Sequence, residues 1–304
     1  MVSQKNFFEG IDNRKRVRRA QATAKTLIWG AALLTLALLI VIVGYILVMG
    51  VPNISLEFLT SPPKGMGDEG GILPMIVNTL YLVILSLLIS APLSVLAAIY
   101  LTEYAKKGRL VRIINYAVEN LAGIPSIIFG LFGFTFFGRL FGFGWSLLSG
   151  SLTAAIVVMP TLVRTAQDAI ASVPMSYREG SLALGATKLQ TIRRVVLPTA
   201  IPGILSGIIL SMGRIVGETA ALFLTLGSGT RVATSLMDSA RSLALHLYTL
   251  IHEGISVPKA FATATVLILL IIVLNFLAHA LANRLNRNGR DKARGVRNAK
   301  PTDH

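Results

Sequence analysis

ASVPMSYREGSLALGATKLQTIRRVVLP, Ala171 to Pro198, lies between two long apolar runs and carries too much local punctuation for a linker. Pro174 opens it, Tyr177 to Leu184 predicts a short helix, and Gly185 supplies a residue tolerant of positive φ where the chain turns. A second helical stretch then leads to Pro198. Two helices joined by a glycine turn make a rigid knob, suited to docking in a partner's groove.

The flanks of this knob say what it is attached to. Upstream lies Leu147 to Val163, closed by the polar Arg164 to Asp168, and downstream lies Ile201 to Leu226, with Arg214 and Glu218 inside it. A bilayer core about 30 Å thick needs roughly 20 apolar helical residues, and both runs are near that length. Four more such runs follow the same rule: Leu27 to Met49, Leu73 to Leu101, Ile113 to Phe137 and Phe261 to Leu281. A chain of 304 residues that is 53% hydrophobic and 14% charged departs from soluble domains in the same direction. The expected fold is therefore all-α, an integral membrane bundle of six transmembrane helices. Residues 27–283 form the membrane domain, with basic tails at 1–26 and 284–304.

The net charge of +15 is unevenly distributed. One side collects Lys5, Arg14, Lys15, Arg16, Arg18, Arg19 and Lys25, then Lys106, Lys107, Arg109 and Arg112. Arg164, Arg178, Lys188, Arg193 and Arg194 follow, and then the tail from Arg284 to Lys300. The other side holds only Lys64, Arg139, Arg231, Arg241 and Lys259. The positive-inside rule places both termini, and the knob, on the cytoplasmic side of the membrane. The tails then act as topology signals that also meet anionic lipid, and no nucleic-acid fold accompanies them.

Several chemistries are excluded. There is no cysteine, so disulfides and thiolate sites are absent. His246, His252, His279 and His304 have no metal-ligand spacing and read as interfacial or solvated. No nucleophile elbow or pair of catalytic acids appears, and the glycine-rich phosphate loop of nucleotide-binding chains is missing. Leu27 to Met49 is longer than the apolar part of a signal peptide, usually about 7 to 15 residues. Gly50 to Gly71 reads as an irregular outer loop, and Ser235 to His252 as an amphipathic helix near the interface.

The knob resembles the cytoplasmic loop of ABC importer permeases, patterned Glu-Ala-Ala, three residues, Gly, nine residues, Ile, one residue, Leu-Pro. Glu179, Gly180 and Ser181 stand at the triplet, Gly185 at the glycine, Val195 at the isoleucine, and Leu197 with Pro198 at the end. Gly180 and Ser181 depart from the alanines and Val195 from the isoleucine, while the spacing is intact. The resemblance implies a type I importer permease fold in which Glu179 to Leu189, including Leu184 and Ala186, docks on a separate ATPase. ATP and magnesium would be bound by that ATPase, leaving this chain without cofactor or catalysis. Within the family, GGILPMIVNTLYLVILSLL from Gly71, SAPLSVLAAIYLTEY from Ser90 and ENLAGIPSIIFGLFG from Glu119 are similar to permeases of phosphate importers of the PstA type.

Arg214 and Glu218 lie four residues apart, on one face of a helix if the fifth span is continuous. Ionised groups at mid-membrane cost roughly 2.5 to 3.5 kcal/mol each, so the two should face protein or a watery cavity and pair. One reading makes Arg214 the contact for a passing oxyanion, with Glu218 preventing tight trapping. The other makes them a structural ion pair. The arrangement resembles the fifth span of phosphate importer permeases, which favours Arg214 as the anion contact. Gly213 and Gly217 let another helix approach, whereas Pro92 and Pro125 should bend or interrupt the second and third spans. Arg164 and Asp168, also four apart, are expected to pair.

The resemblance further implies a second, similar permease as heterodimeric partner, two cytosolic ATPase subunits and an extracytoplasmic phosphate-binding protein. One arginine does not identify the oxyanion, so sulfate or molybdate remains open. A secondary transporter or channel acting alone and a membrane scaffold are the rivals from other classes.

Overall fold

In lipid every backbone polar group must be satisfied within the protein, and long apolar runs therefore become helices. The computed structural model of the chain describes residues 3–65, 67–106 and 108–298. Lys107, Lys300 and His304 lie outside the described residues, as do the side chains of 1–16, 19, 283 and 285–298. Helix α1, Ser3–Gly50, carries the first span, and a short helix α2, Leu56–Thr60, leads to a two-residue hairpin, β1 Pro63–Lys64 and β2 Glu69–Gly70. Then follow α3 Leu73–Ile99, α4 Arg109–Ala122, α5 Ser126–Gly133 and α6 Leu147–Ala171. The knob contributes α7 Met175–Ala183 and α8 Lys188–Thr191, and α9 Leu197–Gly217, α10 Ala220–Thr225, α11 Leu243–His252 and α12 Val257–Asn298 complete the bundle.

Five helices among the described residues are long and apolar enough to cross a membrane. The sixth crossing differs from the straight span expected over Ile113 to Phe137: residues 109–122 and 126–140 are two helical arms bent by 101°. Pro125 causes the break. Its ring bars helical geometry at Ile124, and it has no N–H to continue the ladder. The chain resumes with Ile128 N–H donating to the Pro125 carbonyl at 3.0 Å. Pro92, by contrast, is accommodated inside an unbroken α3.

Helix α6 occupies the centre and is more buried than the other spans. Leu82 and Val83 of α3, Ala154 and Val158 of α6, and Met212, Ile215 and Val216 of α9 form the main core with Leu222 and Leu226. A second cluster at the α7 end joins Ala98, Ile170, Val196 and Ile204, and a third, at the far end, joins Phe58, Met75, Leu243 and Val266. Small residues bring α6 and α9 together: a Cβ on Gly207 would stand 2.9 Å from the Thr165 methyl. Helix α1 stands apart and meets α12, where Tyr45 packs edge-on against Phe261 at 5.7 Å. Its exposed Leu33, Leu36, Ile40 and Val41 present an apolar surface fit for lipid.

The far end is more ordered than a loop reading allows. Asn78 is fully buried and spans two backbones, donating to the Arg231 carbonyl at 2.9 Å and accepting from the Ala233 N–H at 2.9 Å. Asp238 accepts from the backbone N–H groups of Thr234 and Ser235 at 2.8 and 2.9 Å, which holds its carboxyl below the usual range. The helix expected over Ser235 to His252 is confined to Leu243–His252. Its Leu243, Ala244, Leu245, His246 and Leu250 are buried, while Tyr248, Ile251 and His252 are exposed.

Candidate functional site

The knob is built from local signals. Helix α7 starts after Pro174 and stops at Ala183, and Gly185 turns the chain with φ of 82°. Thr187 and Gln190 then form a reciprocal capping box that starts α8. Ser181 and Thr191 hydroxyls lie 3.0 Å apart and tie the two short helices together. A π turn, Ile192–Val196, carries the chain into α9. Glu179, Gly180, Leu184, Gly185 and Leu189 are exposed, and Ser181 and Ala186 are half-buried. Leu184 is 91% exposed, an isolated apolar side chain at the tip of the knob.

Arg178, which the loop pattern does not single out, fastens this knob to the bundle. Its Nη2 and Nε donate to one oxygen of Glu103 at 2.7 and 3.0 Å, with both side chains largely buried. The same guanidinium donates to the carbonyls of Val173 and Ile170. Glu103 sits in a π turn, Tyr100–Tyr104, that ends α3. The sequence carries each charge but not their meeting, since 75 residues separate them.

Arg214 and Glu218 do not pair. Helix α9 ends at Gly217 and Glu218 is extended, with φ −69° and ψ 129°, so four residues no longer span one helical turn. The fifth span is therefore not helical through to Leu226. Glu218 turns inward, 8% exposed, and its Oε1 accepts from the Ala221 N–H at 3.2 Å at the start of α10. Arg214 Nη1 instead donates to Thr161 Oγ1 of α6 at 3.3 Å. It lines a cavity of about 620 Å³ with Thr161, Ser211 of α9, and Asn275 and His279 of α12. Ser211 Oγ and Asn275 Oδ1 have no hydrogen-bond partner among the described residues. The cavity thus holds a guanidinium that has no carboxylate partner among the described residues.

Other charges near the α7 end join helices to one another. Arg164 pairs with Asp168 at 3.6 Å, as expected, and also with Glu119 of α4 at 2.9 Å. Gln167 donates to Asn115 at 3.0 Å, so α4 is stitched to α6 along one line. His246 departs from the expectation of a solvated ring: it is buried at the far end, and desolvation, with Arg241 and Lys259 nearby, pushes its pKa down to about 4. No cluster of metal-binding side chains occurs among the described residues.

Comparison with known proteins agrees with this architecture. Residues 90–288 match the family described as binding-protein-dependent transport system inner membrane component. The chain is 33% identical over 82% of its length to a probable ABC transporter permease protein, YqgI, of Bacillus subtilis, covering 90% of that protein. It is 32% identical over 90% of its length to a phosphate transport system permease protein, PstA 2, of Mycobacterium bovis, covering 92% of that protein. In three dimensions it matches a chain of a bacterial alginate ABC transporter with a TM-score of 0.63 and 18% identity, over 88% of this chain and 97% of that one. A helical bundle carrying the Glu179 to Pro198 loop pattern, matched to the family along most of its length, leads to one assignment: the chain belongs to the binding-protein-dependent ABC transporter permeases, multi-pass membrane proteins of the type I importer fold.

Proposed function

We propose that this permease forms half of the membrane path of an ATP-driven importer of inorganic phosphate. The observation that carries the reading is the Arg214 cavity: a guanidinium without an acidic partner, flanked by hydroxyl and amide groups between α6, α9 and α12. A planar fork of N–H donors suits a tetrahedral oxyanion, and contacts as sparse as these suit transient occupancy. The PstA names of relatives support phosphate over sulfate or molybdate. Glu218, bound to α10, acts by fixing the break that follows Arg214 and not by neutralising it.

A second, similar permease supplies the facing half of the path. Gly213 and Gly217 support this arrangement, since beyond the local backbone of α9 nothing in the described chain lies within 4 Å of a Cβ built at either position. Two cytosolic ATPase subunits, which bind ATP and magnesium, receive the exposed α7 knob through Glu179 to Leu189. An extracytoplasmic binding protein delivers the anion at the far end. Both termini are then cytoplasmic, in the plasma membrane of a bacterium, in keeping with the basic tails.

The test is phosphate uptake into proteoliposomes holding the permease pair, ATPase and binding protein, with Arg214→Gln compared to the unaltered chain. Uptake lost while the complex still assembles and hydrolyses ATP is the expected result. Undiminished uptake would make Arg214 structural, and sulfate uptake in place of phosphate would reassign the substrate.

A further inference from the structure

At the far end of the bundle a second cavity of about 340 Å³, sharing no lining residue with the Arg214 cavity, is bounded by α11 and its ends. Leu245 and Thr249 of α11 line it, together with Arg241 just before the helix and Glu253 just after it. The opposite wall is aromatic, made by Phe134, Trp145 and Phe223, of which Trp145 and Phe223 are more than half exposed. Ser228 and Ser239 close the third side.

Arg241 is only 8% exposed, yet it pairs with no carboxylate among the described residues. Its contact within the chain is to His246 Nδ1 at 3.5 Å, and its Nε is buried without any acceptor. His246 gives the guanidinium no counter-charge, since an imidazole is neutral or cationic, and Glu253 acts on it electrostatically without a direct ion pair. A buried guanidinium with unused N–H groups carries a large desolvation cost, which a ligand with acceptor oxygens offsets. Further donors surround it. The Ser239 hydroxyl accepts from the backbone N–H groups of Ser228 and Gly229 at 3.2 Å each, which leaves its own proton available. Gly227, with φ of 95°, lets the chain fold tightly over Ser239 and so makes this double contact.

We propose that Arg241 and Ser239 form a binding site for a phosphate-type oxyanion, distinct from the Arg214 cavity, with Glu253 opposing occupancy from the rim. The cavity exceeds the size of a single phosphate, and its aromatic rim suits a headgroup at a membrane surface. The shared chemistry is the phosphate group, brought either by inorganic phosphate or by an anionic phospholipid.

The full-length chain in nanodiscs, carrying Arg214→Gln to silence the other arginine, separates these sources. Inorganic phosphate is titrated calorimetrically in phosphatidylcholine discs, and retained phosphatidylglycerol is counted by native mass spectrometry after exchange. Binding of one or the other that falls on the order of tenfold or more with Arg241→Gln, and tightens with Glu253→Gln, is the expected result. Phosphate binding identifies the free anion as the ligand, and phosphatidylglycerol retention identifies the lipid. Because Arg241→Gln alters a buried position, the exposed Glu253→Gln provides the independent readout. If neither probe binds, or if Glu253→Gln changes neither, the proposal fails.

Discussion

Arg178 of α7 and Glu103 at the end of α3 form a partly buried ion pair in which two guanidinium N–H groups, at 2.7 and 3.0 Å, share one carboxylate oxygen. The same arginine caps the carbonyls of Ile170 and Val173 at the end of α6. One side chain therefore joins the exposed knob to two core helices. It ties α7 directly to the end of α3, which the chain itself does not join to the knob.

Removing one partner of this partly buried pair leaves the other charge uncompensated, at a cost that approaches about 3 kcal/mol. Arg178→Gln should therefore loosen the knob, lower the thermal midpoint of the purified chain, and reduce transport per ATP hydrolysed in the assembled importer. The reversed pair, Arg178→Glu with Glu103→Arg, should recover part of both. A thermal midpoint and coupling ratio unchanged by Arg178→Gln would remove this strut from the mechanism.

Two glycines of the knob should respond in opposite directions to alanine. Gly180 lies within α7 with open space where an added methyl group would stand, so Gly180→Ala should stabilise that helix by roughly 0.5 to 1 kcal/mol. Gly185 also has open space, but its φ of 82° is costly for a side chain, so Gly185→Ala should destabilise the turn by about 1 kcal/mol. Hydrogen exchange of the 175–191 amides distinguishes the two: slower in the first variant, faster in the second.

Asn78 is the clamp on the far end. Asn78→Leu removes the hydrogen bonds to the Arg231 carbonyl and from the Ala233 N–H, and stranding the buried Ala233 group costs about 1 to 3 kcal/mol. Limited proteolysis should then cut within 227–242 at least several times faster, with the spans intact. Equal cleavage rates would show that Asp238 and Ser239 hold the segment alone.

His246 predicts a pH dependence whose sign follows from burial. Its folded pKa, about 4, lies below the ordinary value of 6.5, so the unfolded chain takes up a proton first as pH falls. Its contribution to stability is present above about pH 6.5 and is lost between there and pH 4, amounting to about 3 kcal/mol in full. Arg241 and Lys259, which disfavour the imidazolium, act in the same direction. Thermal unfolding from pH 7 to 4.5 should show a steeper decline for the native chain than for His246→Gln, and parallel profiles would contradict the assignment.

The sequence by itself determined the membrane class, which apolar runs meet the bilayer and the knob with its glycine turn. These depend on apolar run length, charge placement and local backbone preference, all of which act over a few neighbouring residues. It also contained the Arg164 to Asp168 pair, because four residues within one unbroken helix always share a face. The same rule failed for Arg214 and Glu218, where packing ends α9 at Gly217 and sends the two side chains to different partners. Only the tertiary structure decided the strut between Arg178 and Glu103, the burial of His246 and the cavity beside Arg241. Each depends on groups brought together from distant parts of the chain, and desolvation, which sets their chemistry, exists only once the helices have packed.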